Sequence, residues 1–303
     1  MKLDRIVIGT DFSDASIAAA QWGVRRFAPG AEVVLVHALT VPQSPHFLRG
    51  RFPPPPATLI ATAQAGAEAR LYELSSSIDA ERVWLETRIG RPWHVLGEVA
   101  AAYDADAVVV GRHGVRPGVW GRLGSTAEML VRTSEVPVLL ATGLHDAKLR
   151  HVVAAVDDSD VAPTVAAWAR HFAVRDAVRV TALHVVTSAV LRGVLARAGA
   201  AVGGSDEDEE TRNVVRHDAD RWVEGLIGPG ASADRVASEI AFGEAGEEIL
   251  AAAERHDCDL IVVGGHSAGV LTRLVVGGVA ADVLRGAECP VLVVKPPEDE
   301  LVD

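Results

Sequence analysis

Residues 5–14 read RIVIGTDFSD, and residues 151–160 read HVVAAVDDSD. Both are short apolar runs that end in an acidic turn. The likeness continues in order along the chain. VVLVHAL (33–39) matches VRVTALHVV (178–186) around His37 and His184, VVVGRHG (108–114) matches IVVGGHS (261–267), and SEVPVLLA (134–141) matches AECPVLVV (287–294). From Gly90 and Gly243 onward the offset stays at 153 without a gap. Agreement of several blocks in one order is the signature of an internal repeat. The chain of 303 residues is therefore expected to hold two copies of one domain, at 1–145 and 149–303, joined near GLHDAKL (143–149).

Each copy alternates short apolar runs with helical patterns. In the first, strands are predicted at Arg5–Gly9, Val33–His37, Val83–Ile89, Ala107–Val110 and Val138–Ala141. Helices are predicted over Asp14–Phe27 behind a Ser13 cap, Thr58–Ser76, Trp93–Tyr103 and Thr126–Thr133. The proline-rich stretch VPQSPHFLRGRFPPPP (41–56) is expected to be a loop, because proline lacks the N–H that regular structure needs. Strands that are apolar throughout, with helices between them, indicate parallel sheets covered on both faces. The predicted fold is thus α/β, two tandem doubly wound parallel-sheet domains.

Composition narrows the function. The formal net charge of −12 argues against a nucleic-acid partner. It is unevenly spread: residues 1–147 carry 14 Lys+Arg and 15 Asp+Glu, and residues 148–303 carry 15 and 26. Part of that acid lies in SDEDEE (205–210), read as a solvated loop. No apolar run approaches the ~20 residues of a membrane helix, so no membrane partner is expected. Two cysteines, Cys258 and Cys289, with no secretory leader, predict a reducing, cytoplasmic setting and small packing roles for both thiols.

Chemistry concentrates in GRHGVRPGVWGRLGST (111–126). It follows a strand and runs into a helix. In an open parallel sheet, ligands bind beyond the carboxyl ends of the strands where the winding reverses, which places Asp11 at the end of strand one against Gly111 at the end of strand four. Glycine permits tight turns and lets backbone N–H groups reach a ligand. A helix starting near Ser125 offers free N–H groups and the positive end of its dipole. Ser125 and Thr126 add hydroxyls, and Arg112, His113, Arg116 and Arg122 favour an anion. A second reading fits the same residues: Ser125-Thr126-Ala127-Glu128 has the form of a capping box, with Ser125 as the cap.

On these motifs both copies resemble universal stress protein domains, and the chain resembles a tandem member of that family over nearly all its length. The family's ATP-binding members have Gly-x2-Gly-x9-Gly-(Ser/Thr), which Gly111, Gly114, Gly124 and Ser125 reproduce; IGTDFS supplies the strand-one Asp11, and LVHA (35–38) the strand-two pattern. The resemblance implies a Rossmann-like, adenine nucleotide alpha hydrolase-like fold with strand order 3-2-1-4-5 in each domain. It implies ATP as ligand, with Mg2+ or Mn2+ on the phosphates. Main-chain groups near Ala38 would meet the adenine edge, Thr10 and Asp11 the ribose or adenine, and Gly111 the ribose. Arg112, His113, Gly114, Gly124, Ser125 and Thr126 would surround the phosphates. It also implies pairing of each domain's last strand across an interface, PVLLA (137–141) with PVLVVK (290–295) as an intramolecular pseudo-dimer, or between chains as a homodimer.

The second copy departs from the pattern. Gly264 and Gly277 are kept, but Ser267 replaces the second glycine, and Gly278 and Val279 replace Ser125 and Thr126. The expectation is a nucleotide held mainly by the first domain. Other residues carry less: His37 and His184 read as hydrogen-bonded, part-buried histidines, Trp22 and Trp168 as packing, and Arg49-Gly50-Arg51 as exposed loop. No Ser-Gly-Gly-x-Asp-Ser loop, no phosphate-binding lysine motif and no placed acid–base pair is present, so an enzyme is not expected beyond slow ATP hydrolysis. The readings are a nucleotide-responsive stress or regulatory protein, an interaction scaffold with a vestigial site, and a nucleotide-processing enzyme.

Overall fold

The computed structural model describes residues 2–41, 55–114, 123–141, 148–175, 178–197, 205–228, 235–265 and 277–296. The chain divides into two compact units, Lys2–Asp146 and Ala147–Asp303. In the first, β1 (Arg5–Gly9), α1 (Asp14–Trp22), β2 (Glu32–Leu39), α2 (Ala57–Ser75), β3 (Val83–Ile89), α3 (Pro92–Ala102), β4 (Ala107–Gly111), α4 (Ser125–Thr133) and β5 (Val138–Ala141) follow in order. In the second come β6 (His151–Ala155), α5 (Ala162–Val174), β7 (Arg179–Val186), α6 (Ser188–Arg197), α7 (Ser205–Ile227), β8 (Val236–Phe242), α8 (Ala245–Arg255), β9 (Leu260–Gly264), α9 (Gly278–Gly286) and β10 (Val291–Val294).

The strand order is β3-β2-β1-β4-β5 in the first unit and β8-β7-β6-β9-β10 in the second. Every described pairing within a unit is parallel. Both units therefore show the expected doubly wound order, 3-2-1-4-5. Ile6, Val7 and Ile8 of β1, Val33, Val34 and Leu35 of β2, and Val108 and Val109 of β4 are fully buried. Successive strand residues point to opposite faces, so such runs require cover on both sides. The second unit repeats this with Val152, Val153 and Ala154 in β6 and Leu260, Ile261 and Val262 in β9.

Local signals account for most boundaries. The Ser13 hydroxyl accepts the Ser16 N–H at 3.2 Å and caps α1 as expected. The helix predicted over 14–27 keeps α geometry only to Trp22; Gly23–Phe27 winds as one π turn, and its Phe27 ring is fully buried. α3 and α8 both close on an aspartate in the left-handed region, Asp104 (φ 53°) and Asp257 (φ 48°), so the repeat extends to its turns.

Two expectations fail. SDEDEE (205–210) is not a loop but the opening of α7. A carboxylate run suits a helix N-terminus, where the dipole is positive, so a charge run there signals a helix start as readily as a solvated segment. Ser125 is not the cap of α4: the helix begins at Ser125, Gly124 holds the cap position, and no side chain caps it. Most of the proline-rich stretch, with Arg49-Gly50-Arg51, lies outside the described residues, as do Arg116, Arg122, Ser267 and Arg273.

Phe27→Ala is expected to lower stability by about 3–5 kcal/mol, the cost of emptying a buried aromatic site. Urea unfolding of the full chain checks this; a loss under about 1 kcal/mol would show that the π turn does not anchor the first core.

Candidate functional site

The β1–β4 pairing builds the site. Ile6, Val7 and Ile8 lie against Ala107, Val108 and Val109, so the two strands end side by side where the winding reverses. A cleft of about 450 Å3 opens there. It is lined by Gly9 at the end of β1, Thr10, Asp11 and Ser16 beyond it, Val36, His37 and Ala38 from β2 and Thr40 just after it, Pro92 and Leu96 from α3, Val110, Gly111, Arg112, His113 and Gly114 from β4 and the residues that follow it, and Gly124, Ser125, Thr126 and Ala127 at α4. All ten residues singled out in the sequence, from Thr10 to Thr126, meet in this one cleft.

The β1 wall is a chain of hydrogen bonds. The Ser16 hydroxyl donates to the Ser13 carbonyl at 2.9 Å. Thr10 Oγ1 lies 2.9 Å from Ser16 Oγ and accepts the Phe12 N–H at 3.0 Å. His37 Nδ1 stands 2.8 Å from the Thr10 carbonyl. A carbonyl only accepts, so Nδ1 carries the proton of this bond. His184 makes the same bond to the Val156 carbonyl at 2.9 Å. Both histidines are part-buried, as expected. Phe12 takes a left-handed backbone, φ 62°, uncommon for a side chain of its size. Its ring is held between the His37 ring at 4.5 Å and the Arg70 guanidinium at 4.2 Å.

Asp11 Oδ1 accepts the Ser13 N–H at 3.0 Å and the Ser13 hydroxyl at 2.5 Å. Its other oxygen reaches across to β4's loop. A Cβ built on Gly114 would stand 2.4 Å from Asp11 Oδ2. A side chain at 114 would therefore have to displace the Asp11 carboxylate, a demand the spacing alone does not show. Gly111 is pressed by backbone: its Cβ would lie 3.3 Å from the Ala15 carbonyl atoms. A Cβ on Gly124 would lie 3.2 Å from the Arg112 carbonyl, which accepts the Gly124 N–H at 3.0 Å. The Arg112 N–H in turn donates to Ala141 at 3.1 Å, so the main chain of Arg112, itself 9 % exposed, ties β4's end to both β5 and α4. Burial first, then the Arg112 charge, holds the His113 pKa below the ordinary 6.5, so this ring adds no charge near neutral pH.

Chemically, the cleft offers apolar side chains from Val36, Leu96 and Val110, one carboxylate, five hydroxyl side chains from Thr10, Ser16, Thr40, Ser125 and Thr126, and the uncapped N-terminus of α4. The first N–H groups of a helix have no partner within it. Among the described residues no group of three His, Cys, Asp or Glu side chains is placed to hold a metal ion. Sequence reading missed Ser16, Pro92 and Leu96. The S-D-A-S run of α1 held a signal for Ser16, three residues after its cap; no signal marked the α3 residues, which reach the cleft only through helix-on-sheet packing.

The second unit differs at the same places. Val156 and Ala162 replace the Thr10–Ser16 pair. Val161 stands where Ala15 stood, and its Cγ1 lies 3.3 Å from a Cβ position on Gly264, so a side chain covers the β9 glycine. The start of α9 repeats that of α4, with Gly277 as an uncapped N-cap.

The profile of the universal stress protein family matches this chain twice, over residues 2–142 and 148–295. A universal stress protein of Mycolicibacterium smegmatis is 26% identical over 304 residues, covering 96% of this chain and 97% of that protein. One from Methanocaldococcus jannaschii is 30% identical over 154 residues, 50% of this chain and 85% of its own length. The solved structure of a universal stress protein from Archaeoglobus fulgidus superimposes with a TM-score of 0.67 at 18% identity and 98% coverage of both chains, which supports the fold.

Gly114→Ala is expected to destabilise the chain when Asp11 is present and to be nearly neutral beside Asp11→Ala, a coupling of about 0.5–3 kcal/mol between touching residues. Thermal unfolding of the two single variants and the double variant measures it; additive losses would show that Asp11 does not occupy the space above Gly114.

Proposed function

The chain belongs to the universal stress protein family, and we propose that it is a nucleotide-responsive regulatory protein that binds ATP in its first domain. The observation that supports this most is the convergence of bare main chain at Gly111, Gly114 and Gly124 with the uncapped start of α4 in one cleft. A cleft of about 450 Å3 is of the size that encloses small ligands. The apolar side chains suit a base, and the Ala38 main chain at the end of β2 offers it hydrogen-bonding groups. Asp11 would meet the ribose hydroxyls. Ser125, Thr126 and the first N–H groups of α4 suit the phosphates, because anions are favoured at a helix N-terminus.

A divalent ion fits as a companion of the ligand. Asp11 is the single carboxylate among the described lining residues. Mg2+ characteristically takes few protein carboxylates and completes its shell with phosphate oxygens and water. Mg2+ or Mn2+ would lower the repulsion between phosphates, while the chain's own amides and hydroxyls orient them.

The second domain is proposed to bind nucleotide weakly or not at all. It lacks the Thr10–Ser16 hydroxyl pair and the Ser125–Thr126 pair, and Val161 covers its β9 glycine. The proposed role is binding rather than turnover: burial and the Arg112 charge hold the His113 pKa down, so its part-buried ring is a poor proton donor beside a phosphate.

Isothermal titration of the full chain with magnesium-ATP is expected to give about one nucleotide per chain. Ser125→Ala with Thr126→Val should weaken binding roughly tenfold or more, since each hydrogen bond to a charged group is worth about 1.5–3 kcal/mol. A phosphate-release assay should show no rapid turnover. No heat at millimolar ATP would favour a scaffold with a vestigial site, and two equal sites would contradict the asymmetry.

A further inference from the structure

The two repeats solve the same corner of the sheet with different chemistry. At the amino ends of the strands, Asp106 Oδ2 accepts the Asp4 and Arg5 N–H groups at 2.7 and 2.8 Å. Asp259 Oδ2 accepts the Arg150 and His151 N–H groups at 2.7 and 3.0 Å in the second domain. Arg5 and His151 are therefore equivalent. Glu86 and Glu239 are equivalent as well, lying opposite Val36 and Leu183 in the β2–β3 and β7–β8 registers. In the first domain Arg5 pairs with Glu32 at 2.6 Å and also bonds the Tyr103 carbonyl, while the Tyr103 hydroxyl donates to Glu86 at 2.6 Å. Arginine and tyrosine do not change charge between about pH 5 and 8.

The second domain puts imidazoles in both places. His151 is 7 % exposed, and its Nε2 lies 2.8 Å from Thr181 Oγ1. Its ring stands 4.9 Å from that of His256, which replaces Tyr103 at the end of α8. His256 Nε2 lies 2.6 Å from Glu239 Oε2. Among the described residues, the carboxylates nearest His151, Glu239 and Asp259, already have other partners. From β7, Arg179 is its register partner and adds positive charge, and Thr181 is neutral. From β8, Glu239 is shared by Arg255 and His256. At the start of β9, Asp259 is bound to two main-chain amides and lies 3.7 Å from Arg150, which also pairs with Asp257 at 3.3 Å.

We propose that His151 and His256 form an acid-sensitive latch that keeps α8 seated on β6 and β7 near neutral pH and loosens it when His151 takes up a proton, in the second domain alone. α8 packs on β6 and β7, and the His151–His256 ring contact joins the end of α8 to the start of β6. Burial, the neighbouring His256 and Arg179 hold the His151 pKa below its ordinary 6.5, against the smaller pull of Asp259 and Glu239. The sign follows. An opened corner binds the proton more readily than the closed one, so the latch is intact above pH 6.5 and weakens as pH falls below it. The first domain, with Arg5 and Tyr103, lacks this response, so acid acts on one half of a repeated structure.

Hydrogen exchange of the full chain, corrected for intrinsic rates, at about pH 7.5 and about pH 5.5 tests this. The expected result is faster opening of peptides spanning 151–155 and 245–256, by more than about threefold and by at most about tenfold per pH unit. Peptides spanning 5–9 and 92–102 should be unchanged. His151→Gln retains a hydrogen-bonding side chain at Thr181 and should abolish the acid response. If that variant fails to fold at neutral pH, His256→Tyr serves: it imports the first domain's bond to the glutamate, removes the imidazole that holds the His151 pKa down, and should make the acid response smaller. Equal loosening of both repeats, a response that persists in His151→Gln, or an undiminished response in His256→Tyr would each overturn the latch.

Discussion

The parallel pairing of β1 with β4 is the constraint on which the site rests. Three register pairs bring two strands that are far apart in sequence to a common end. Because connections leave that end in opposite directions, the chain itself cannot fill the gap between them. Asp11 and Gly114 meet across the gap, and the start of α4 lines it as well. A residue with a side chain at Gly114 would displace the carboxylate, and one at Gly124 would press on the Arg112 carbonyl that ties the loop to the helix. The glycine spacing is thus a steric record of a fold that keeps its main chain accessible.

Much of this was legible in the sequence. The repeat followed from matching blocks in one order and the strands from continuous apolar runs, which burial of both strand faces explains. The ten candidate site residues converge because they lie at strand ends and a helix start, positions a doubly wound sheet dictates. What escaped depends on side chains meeting across elements. Leu96 enters from the inner face of α3, where its apolar character reads as core. Ser125 fitted a capping box, yet α4 begins one residue earlier, and helix ends are decided by the competition between neighbouring residues for the cap. The acidic stretch before Glu210 read as solvated loop because charge reports exposure and not conformation.

The repeats share a frame and diverge in polar detail at both ends of the sheet. At the carboxyl ends, hydroxyls in the first domain become Val156, Ala162, Gly278 and Val279 in the second, and Val161 covers the glycine of β9. At the amino ends, Arg5 and Tyr103 become His151 and His256. The Asp106 and Asp259 carboxylates that bind main-chain amides are unchanged, since they secure the strand starts of either copy. The uneven charge fits this division: the second half holds most of the net negative charge, which disfavours a polyphosphate there.

Amide chemical shifts of the isotopically labelled full chain during titration with magnesium-ATP test the central claim most directly. The account predicts that perturbations saturate at Gly111, Gly114 and the amides from Gly124 to Ala127, with Ala38 marking the base end of the cleft. Perturbations absent from those amides, or concentrated instead at Gly264 and Gly277, would contradict it.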